Sequence, residues 1–233
     1  MSGRLYGIGV GPGDPELLTL RAVRLLQRLP VIAWPELPGR PGFAHDIAAA
    51  HIPPSCISLP FTIPMTTARE PAQRAYDAAA DAIGAHLEAG RDVGVLCEGD
   101  PMFYGSFMYL LPRLAPRFPV EVVPGVSSLG ACAAAARLPL AGRSEALTVI
   151  PATRANGEIA AAIAAAEAAA IPKVGRHLDR VRRLVAALGL EEVAWLVIHA
   201  SLPGETVMPL AEAPERAPYF SMILIRKGTD PWL

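Results

Sequence analysis

Val93-Gly94-Val95-Leu96-Cys97-Glu98-Gly99-Asp100-Pro101 decides how this chain is read. Its first five residues have no polar face, as expected of a strand covered on both sides, and such strands belong to parallel sheets layered between helices. The acidic turn that follows lies at the strand's carboxyl end, the edge where open α/β sheets bind ligands. Asp100-Pro101 also reads as an N-cap with proline at the first helical position, ahead of a helix from about Phe103 to Leu111. Capping and binding are compatible.

Outward from this strand, Gly/Pro punctuation divides the chain into alternating apolar runs and helical patterns. Leu5 to Val10 reads as a buried strand, and Asp14 as the cap of a helix that starts at Pro15 and turns Leu17, Leu18, Val23, Leu25, Leu26 and Leu29 inward. Val31 to Trp34 is a second strand, ended by Pro35. A helix runs from about Ala68 to Ala89 and stops at Gly90, where a left-handed cap is expected. Val120 to Val123 is a strand and Ser127 to Ala136 a helix.

A pause near Pro139 to Arg143 opens a second set of elements. These are a strand from Leu147 to Ile150, a helix from Ile159 that takes in the alanine tract to Ala170, a helix from Val181 to Leu188, and a strand from Val193 to Ile198. Thr206 to Leu210 and Tyr219 to Ile225 leave no room for a crossover helix. Such neighbours favour antiparallel pairing, so the second half should hold a mixed sheet. A length of 233 residues suits one large domain or two small ones.

Composition excludes several classes. At 52% hydrophobic residues and a net charge of -1, the chain is not of the disordered type. The 21 cationic residues include only two lysines, Lys173 and Lys227, and 22 acidic residues balance them, so no nucleic-acid stripe is expected. The longest run without charge, Ile47 to Ala68, is broken by four prolines and His51, and the N-terminus lacks a signal-peptide pattern. A cytoplasmic protein without a membrane segment is expected. Cys56, Cys97 and Cys132 form no C-x-x-C pair, and the five histidines show no H-x-x-x-H spacing, so neither a disulfide framework nor a metal site is expected.

Three strand-loop-helix junctions concentrate the chemistry. In Gly7-Ile8-Gly9-Val10-Gly11-Pro12-Gly13-Asp14-Pro15, glycines let a ligand approach the backbone, or simply make a tight connection. It fails as a dinucleotide fingerprint in both registers, because Pro12 or Asp14 stands where the third glycine belongs, and Asp14 would repel a pyrophosphate. Glu98 to Gly105 is the second junction. Val123-Pro124-Gly125-Val126-Ser127-Ser128 is the third; it is no nucleophile elbow, since Leu129 follows two places after Ser127, and either serine could serve as an N-cap.

Taken together and in this order, Gly9-x-Gly11-Pro12-Gly13-Asp14-Pro15, Gly99-Asp100-Pro101 with Tyr104-Gly105, and Val123 to Ser128 resemble the tetrapyrrole methyltransferase family of corrin and sirohaem biosynthesis. The resemblance covers essentially the whole chain. The runs Leu96 to Leu110, Lys173-Val174-Gly175-Arg176-His177-Leu178, Pro218-Tyr219-Phe220-Ser221 and Pro64-Met65-Thr66 are most similar to the subgroup acting at C-20 of precorrin-2. Glu98 departs from the wider family, in which the residue before this glycine is often small.

The resemblance implies two αβα-type domains, the first with a mainly parallel sheet and the second with a mixed one. It also implies an active-site trough between them and, usually, a homodimer. We place the domains at residues 1–123 and 124–233. S-adenosylmethionine is then expected against Gly99, Asp100, Pro101, Tyr104, Ser127 and Ser128, with later contacts at Ala152, Ala200 and Met222. The first loop, Gly11, Pro12, Gly13 and Asp14, would face the tetrapyrrole, and Arg176, beside His177, would meet its carboxylates. Methyl transfer to an electron-rich meso carbon needs little acid or base to begin, but a proton must later leave that carbon. Glu98, Asp14 and Tyr104 are the candidates to take it. Three other readings stay open: a cobalt-containing substrate or another ring position, a common nucleotide-binding fold with Glu36 as its ribose-binding acid, and a non-catalytic binding module.

Overall fold

Five short runs in the first half supply a sheet whose inner strands have no face for water. The computed structural model describes residues 1–39, 42–64 and 68–228; Met65 and Thr66 of the run Pro64-Met65-Thr66 lie outside them. The chain forms two compact units, Met1–Ser127 and Ser128–Leu233. In the first, the order is β1 (Leu5–Gly9), α1 (Leu20–Leu26), β2 (Val31–Glu36), α2 (Phe43–Ala48), β3 (Ile57–Thr62), α3 (Arg69–Glu88), β4 (Val93–Cys97), α4 (Phe107–Leu114) and β5 (Val120–Val123). The strands lie in the order β3-β2-β4-β1-β5, all parallel.

The helices cover both faces. Ala22, Leu25 and Leu26 of α1 and Ala44 and Ile47 of α2 pack on Ile8, Ile32 and Leu96. Tyr76, Ile83 and Leu87 of α3 and Phe107, Leu110 and Leu114 of α4 pack on Leu5, Val31, Val93 and Val95. The chain therefore leaves β1 for one face and leaves its neighbour β4 for the other. That makes the carboxyl ends of β1 and β4 the switch point of the sheet, where a crevice is expected.

Several expectations are corrected here. The Asp14 carboxylate accepts the Glu16 amide at 2.8 Å, but the turn it caps spans only Pro15–Leu17. Leu18 is extended, and α1 starts anew at Leu20, where the Thr19 hydroxyl accepts the Ala22 amide at 3.1 Å. The fourth helix begins at Phe107 rather than Phe103, because Tyr104 adopts a left-handed φ of 57° that no α-helix accommodates. Pro35 does not end β2. Pairing with β4 stops at Ala33, so the missing amide falls where the strand has a partner on one side only. The sequence reading had no counterpart of β3, an edge strand with Pro60 in its middle.

The second unit holds α5 (Ser128–Ala136), β6 (Leu147–Val149), α6 (Asn156–Ala164), β7 (Ala168–Pro172), α7 (Leu178–Ala187), β8 (Ala194–Ile198), β9 (Thr206–Pro209) and β10 (Ser221–Arg226). Its sheet, β6-β7-β10-β8-β9, is mixed as expected: β6 and β7 are parallel and the other pairs antiparallel. The pairing differs from the expectation, since β9 and β10 each bond to β8 and not to each other.

The alanine tract also splits. Helix α6 ends at Ala164, and Ala168 to Ala170 form a wholly buried strand. That strand bonds to β6 and β10, with Ala169 facing the α6 and α7 layer and Ala170 facing α5. Sheet pairing on two sides overrides alanine's helix propensity. A nearly buried ion pair, Arg226 to Glu145 at 3.0 Å, fixes the connection before β6 to β10. Arg226 also donates to the Pro139 carbonyl, and Glu145 accepts the Gly142 amide.

Gly7 lies against the ring of Phe107: a Cβ there would stand 2.6 Å from Cε1. Gly7→Ala should lower unfolding free energy by about 1–3 kcal/mol through overpacking. Urea denaturation with an unchanged m-value is the check.

Candidate functional site

Three loops leave the carboxyl edge of the parallel sheet, after β1, β4 and β5, and their backbones touch. Gly11 and Gly99 exchange two hydrogen bonds, Gly11 N to Gly99 O at 3.3 Å and Gly99 N to Gly11 O at 2.8 Å. A Cβ on Gly9 would lie 2.6 Å from the Gly125 nitrogen, and a Cβ on Gly125 would lie 2.1 Å from the Gly99 carbonyl oxygen. Gly11 and Gly99 have φ of 80° and 65°, the left-handed region that glycine occupies without penalty. The glycines of three separate motifs thus form one backbone junction.

Asp100 ties the junction together. One carboxylate oxygen accepts the Met102 amide at 2.8 Å and the other accepts the Gly125 amide at 3.0 Å. The first bond closes the turn into residues 101–105; the second crosses to the loop after β5. Gly105 closes the turn from the far side, since a Cβ there would stand 2.7 Å from the Pro101 carbonyl. Tyr104, held left-handed between them, leaves 44% of its surface exposed. A non-glycine residue at such a φ is a local strain of the kind found at functional sites.

The edge is acidic. From Glu98 to Gly105 the charged side chains are Glu98 and Asp100, and the first loop adds Asp14. Glu98 is exposed by surface area, yet the protein around its carboxyl desolvates it and raises its pKa above the ordinary carboxylate value. The Cys97 thiol behind it is pushed up to about 12, chiefly by burial, and stays protonated at neutral pH. Gly11, Pro12, Gly13, Gly99 and Pro101 are buried, Asp14, Asp100 and Ser127 half-buried, and Ser128 exposed. The Ser127–Ser128 bond is where the first unit gives way to the second.

In the second unit, β6, β7 and β8 run in one direction and β10 against them. Their common edge gathers Ala152, the turn Lys173 to His177, the turn His199 to Ser201, and Met222. Lys173, His199 and Ser201 all take left-handed φ values, 60°, 53° and 63°. Ala152 is wholly buried with the α6 and α7 layer, whereas Ala200 and Met222 belong to the opposite layer with α5. Arg176 is exposed, its Nε 3.4 Å from His177 Nε2. Partial burial and then the Arg176 and Arg180 guanidiniums lower the His177 pKa. The candidates therefore collect at one sheet edge in each unit.

Glu36 does not fit the ribose-binding role. Strand β4 stands between β1 and β2, so the end of β2 is not beside the glycine loop, and the Glu36 carboxylate accepts the Trp34 indole N–H at 3.0 Å. Sequence reasoning passed over Gly9 and Gly125 as a packing pair and Arg180 altogether. Gly125 stood in a quoted motif, but only the fold shows what its missing side chain makes room for. Arg180 carries no local signal.

Residues 4–214 match the family model for Tetrapyrrole (Corrin/Porphyrin) Methylases. A precorrin-2 C(20)-methyltransferase from Sinorhizobium sp is 44% identical, over 98% of this chain and 97% of its own. A cobalt-precorrin-2 C(20)-methyltransferase from Salmonella typhimurium is 34% identical, over 97% and 98%. A crystal structure of uroporphyrin-III C-methyl transferase from Thermus thermophilus, complexed with S-adenyl homocysteine, has a TM-score of 0.70 at 25% identity, covering 97% of this chain and 92% of that one.

Two outcomes test the edge. Asp100→Ala removes a charged acceptor from two amides, so exchange of the Gly125 amide hydrogen should quicken by about 10- to 100-fold. Because the Glu98 pKa is raised on folding, its charged form opposes folding at neutral pH, and this opposition fades as pH falls through the raised folded value and is gone below the ordinary carboxylate value of about 4.3. Glu98→Gln should therefore melt above the parent at pH 7 by calorimetry, with the difference closing near pH 4.

Proposed function

Because the chain belongs to the tetrapyrrole (corrin/porphyrin) methylase family, we propose that it transfers a methyl group from S-adenosylmethionine to C-20 of precorrin-2, giving precorrin-3A in cobalamin biosynthesis. The observation that carries this reading is the full-length likeness to the Sinorhizobium enzyme. A cobalt-containing substrate is the second reading, favoured by the likeness to the Salmonella enzyme.

The site residues fit the donor. S-adenosylmethionine offers an electrophilic methyl on a sulfonium cation. The loop from Glu98 to Gly105 carries two carboxylates and no cationic side chain, so it suits a cation and is hostile to a pyrophosphate. In this reading Gly99, Asp100, Pro101, Tyr104, Ser127 and Ser128 hold the donor. Contacts near Ala152, Ala200 and Met222 are apolar, and Gly11 to Asp14 wall the tetrapyrrole. Asp100 works through the backbone, fixing the Met102 and Gly125 amides. The protein's main task is to orient the acceptor carbon about 3 to 3.5 Å from the methyl, in line, where alignment alone contributes roughly 7–11 kcal/mol.

Glu98, Asp14 and Tyr104 are the groups from which the acceptor of the departing proton is drawn. Desolvation raises the pKa of Glu98 and so makes its carboxylate a stronger base than an ordinary one. Arg176, beside His177, is assigned to substrate carboxylates. We also assign the protein to the cytoplasm as a homodimer, to be checked by light scattering.

Precorrin-2 incubated anaerobically with the protein and methyl-labelled S-adenosylmethionine should gain one labelled methyl by mass spectrometry, placed at C-20 by carbon NMR. Gain only on the cobalt-containing analogue would establish the second reading. Asp100→Ala and Ser127→Ala, folded by circular dichroism, should bind S-adenosylhomocysteine about tenfold more weakly than the parent; unchanged affinity would misplace the pocket.

A further inference from the structure

Arg180 lies in the first half of α7, half-buried, and spends its guanidinium on the loop after β6. One terminal nitrogen donates to the Ala152 carbonyl and the other to the Asn156 side-chain oxygen. Ala152 is wholly buried, and its own amide donates to the Pro172 carbonyl at 2.9 Å, at the end of β7. The guanidinium also lies close enough to His177 to lower its pKa, after partial burial and Arg176. One side chain thus braces the loop that carries Ala152 against the first half of α7.

Backbone bonds also hold that loop, Ile150 N to Ala170 O and Arg154 N to Pro151 O, each at 3.0 Å, but neither engages the Ala152 carbonyl. Glu158 accepts the Ala155 amide at 3.0 Å and pairs with Arg154, but both lie at the exposed start of α6. Without Arg180 the Ala152 carbonyl, taken out of water, would lose its guanidinium partner, and the loop would have to open to water to satisfy it. We infer that Arg180 is a positioning residue for the methyl donor: by gripping the Ala152 carbonyl and Asn156, it holds the β6 loop in the shape that receives the nucleoside. This rests on Ala152 belonging to the donor site.

A neighbour provides the control. Arg182, two residues on, donates to the Ala213 carbonyl at 2.7 Å, a comparable bond that touches neither β6 loop nor β7 turn. S-adenosylhomocysteine binding is measured by titration calorimetry on full-length parent, Arg180→Ala, Arg180→Lys and Arg182→Ala, with melting temperatures alongside. Arg180→Ala should weaken binding about tenfold. Lysine, which reaches a carbonyl but lacks the fork, should recover part of it. Arg182→Ala should melt lower yet bind as the parent does.

If Arg180→Ala does not fold, Asn156→Ala, which removes one of the two bonds, should still weaken binding about threefold. Parent-like affinity in Arg180→Ala, or equal weakening in Arg182→Ala, overturns the positioning role while leaving the methyltransferase reading intact. A parent that binds no S-adenosylhomocysteine overturns both.

Discussion

Three glycine backbones, at residues 9, 99 and 125, meet where β1, β4 and β5 end, and side chains are shut out of that junction. A Cβ on Gly125 would need to share space with the Gly99 carbonyl oxygen. The rest of the first unit is arranged to make this approach possible. Its parallel strands bring three loops to one edge, and opposite crossovers from β1 and β4 leave that edge open between them. The Asp100 carboxylate then fastens the β4 loop to the β5 loop without adding bulk. Backbone groups left over at such a junction become the surface a ligand meets.

Electrostatics narrow what that ligand can be. Glycine-rich turns after a first strand are widely used for phosphates, and the difference here is written in carboxylates: Asp14, Glu98 and Asp100 surround the turn. A field of this sign favours a cation and gives a nucleotide phosphate nothing to bind. In the second unit Lys173, Arg176 and Arg180 lie on one turn and the helix after it, with Asp179 on the same helix.

Much of this was legible in the sequence because the informative signals were local. The strand Val93 to Cys97 announced a covered parallel sheet, and the glycine-proline junctions marked the edge where its loops meet; both readings need only a few neighbouring residues. Errors arose where distant pairing decided the outcome. Ala168 to Ala170 are helix formers by propensity and a strand by position, because β6 and β10 bond to them from either side. Ile57 to Thr62 does alternate, with Ile57, Leu59 and Phe61 at every second position, but Pro60 in its middle and the surrounding prolines masked that local signal of an edge strand. Arg180 was invisible for the same reason: its partners lie 24 and 28 residues away in sequence.

The prolines in the outer strands bear on how copies of the protein meet. Pro60 sits in β3 and Pro209 in β9, and each of these strands closes one end of its sheet. A strand with a proline lacks one amide from its row of donors, so another chain cannot zip along it without leaving an acceptor unmatched. Those two borders are poor templates for fibril growth and for a sheet continued from one copy into the next. Newly made chains at high concentration are therefore spared two of the routes by which open sheets stick together, at β3 and β9, while β5 and β6 close the opposite ends without a proline.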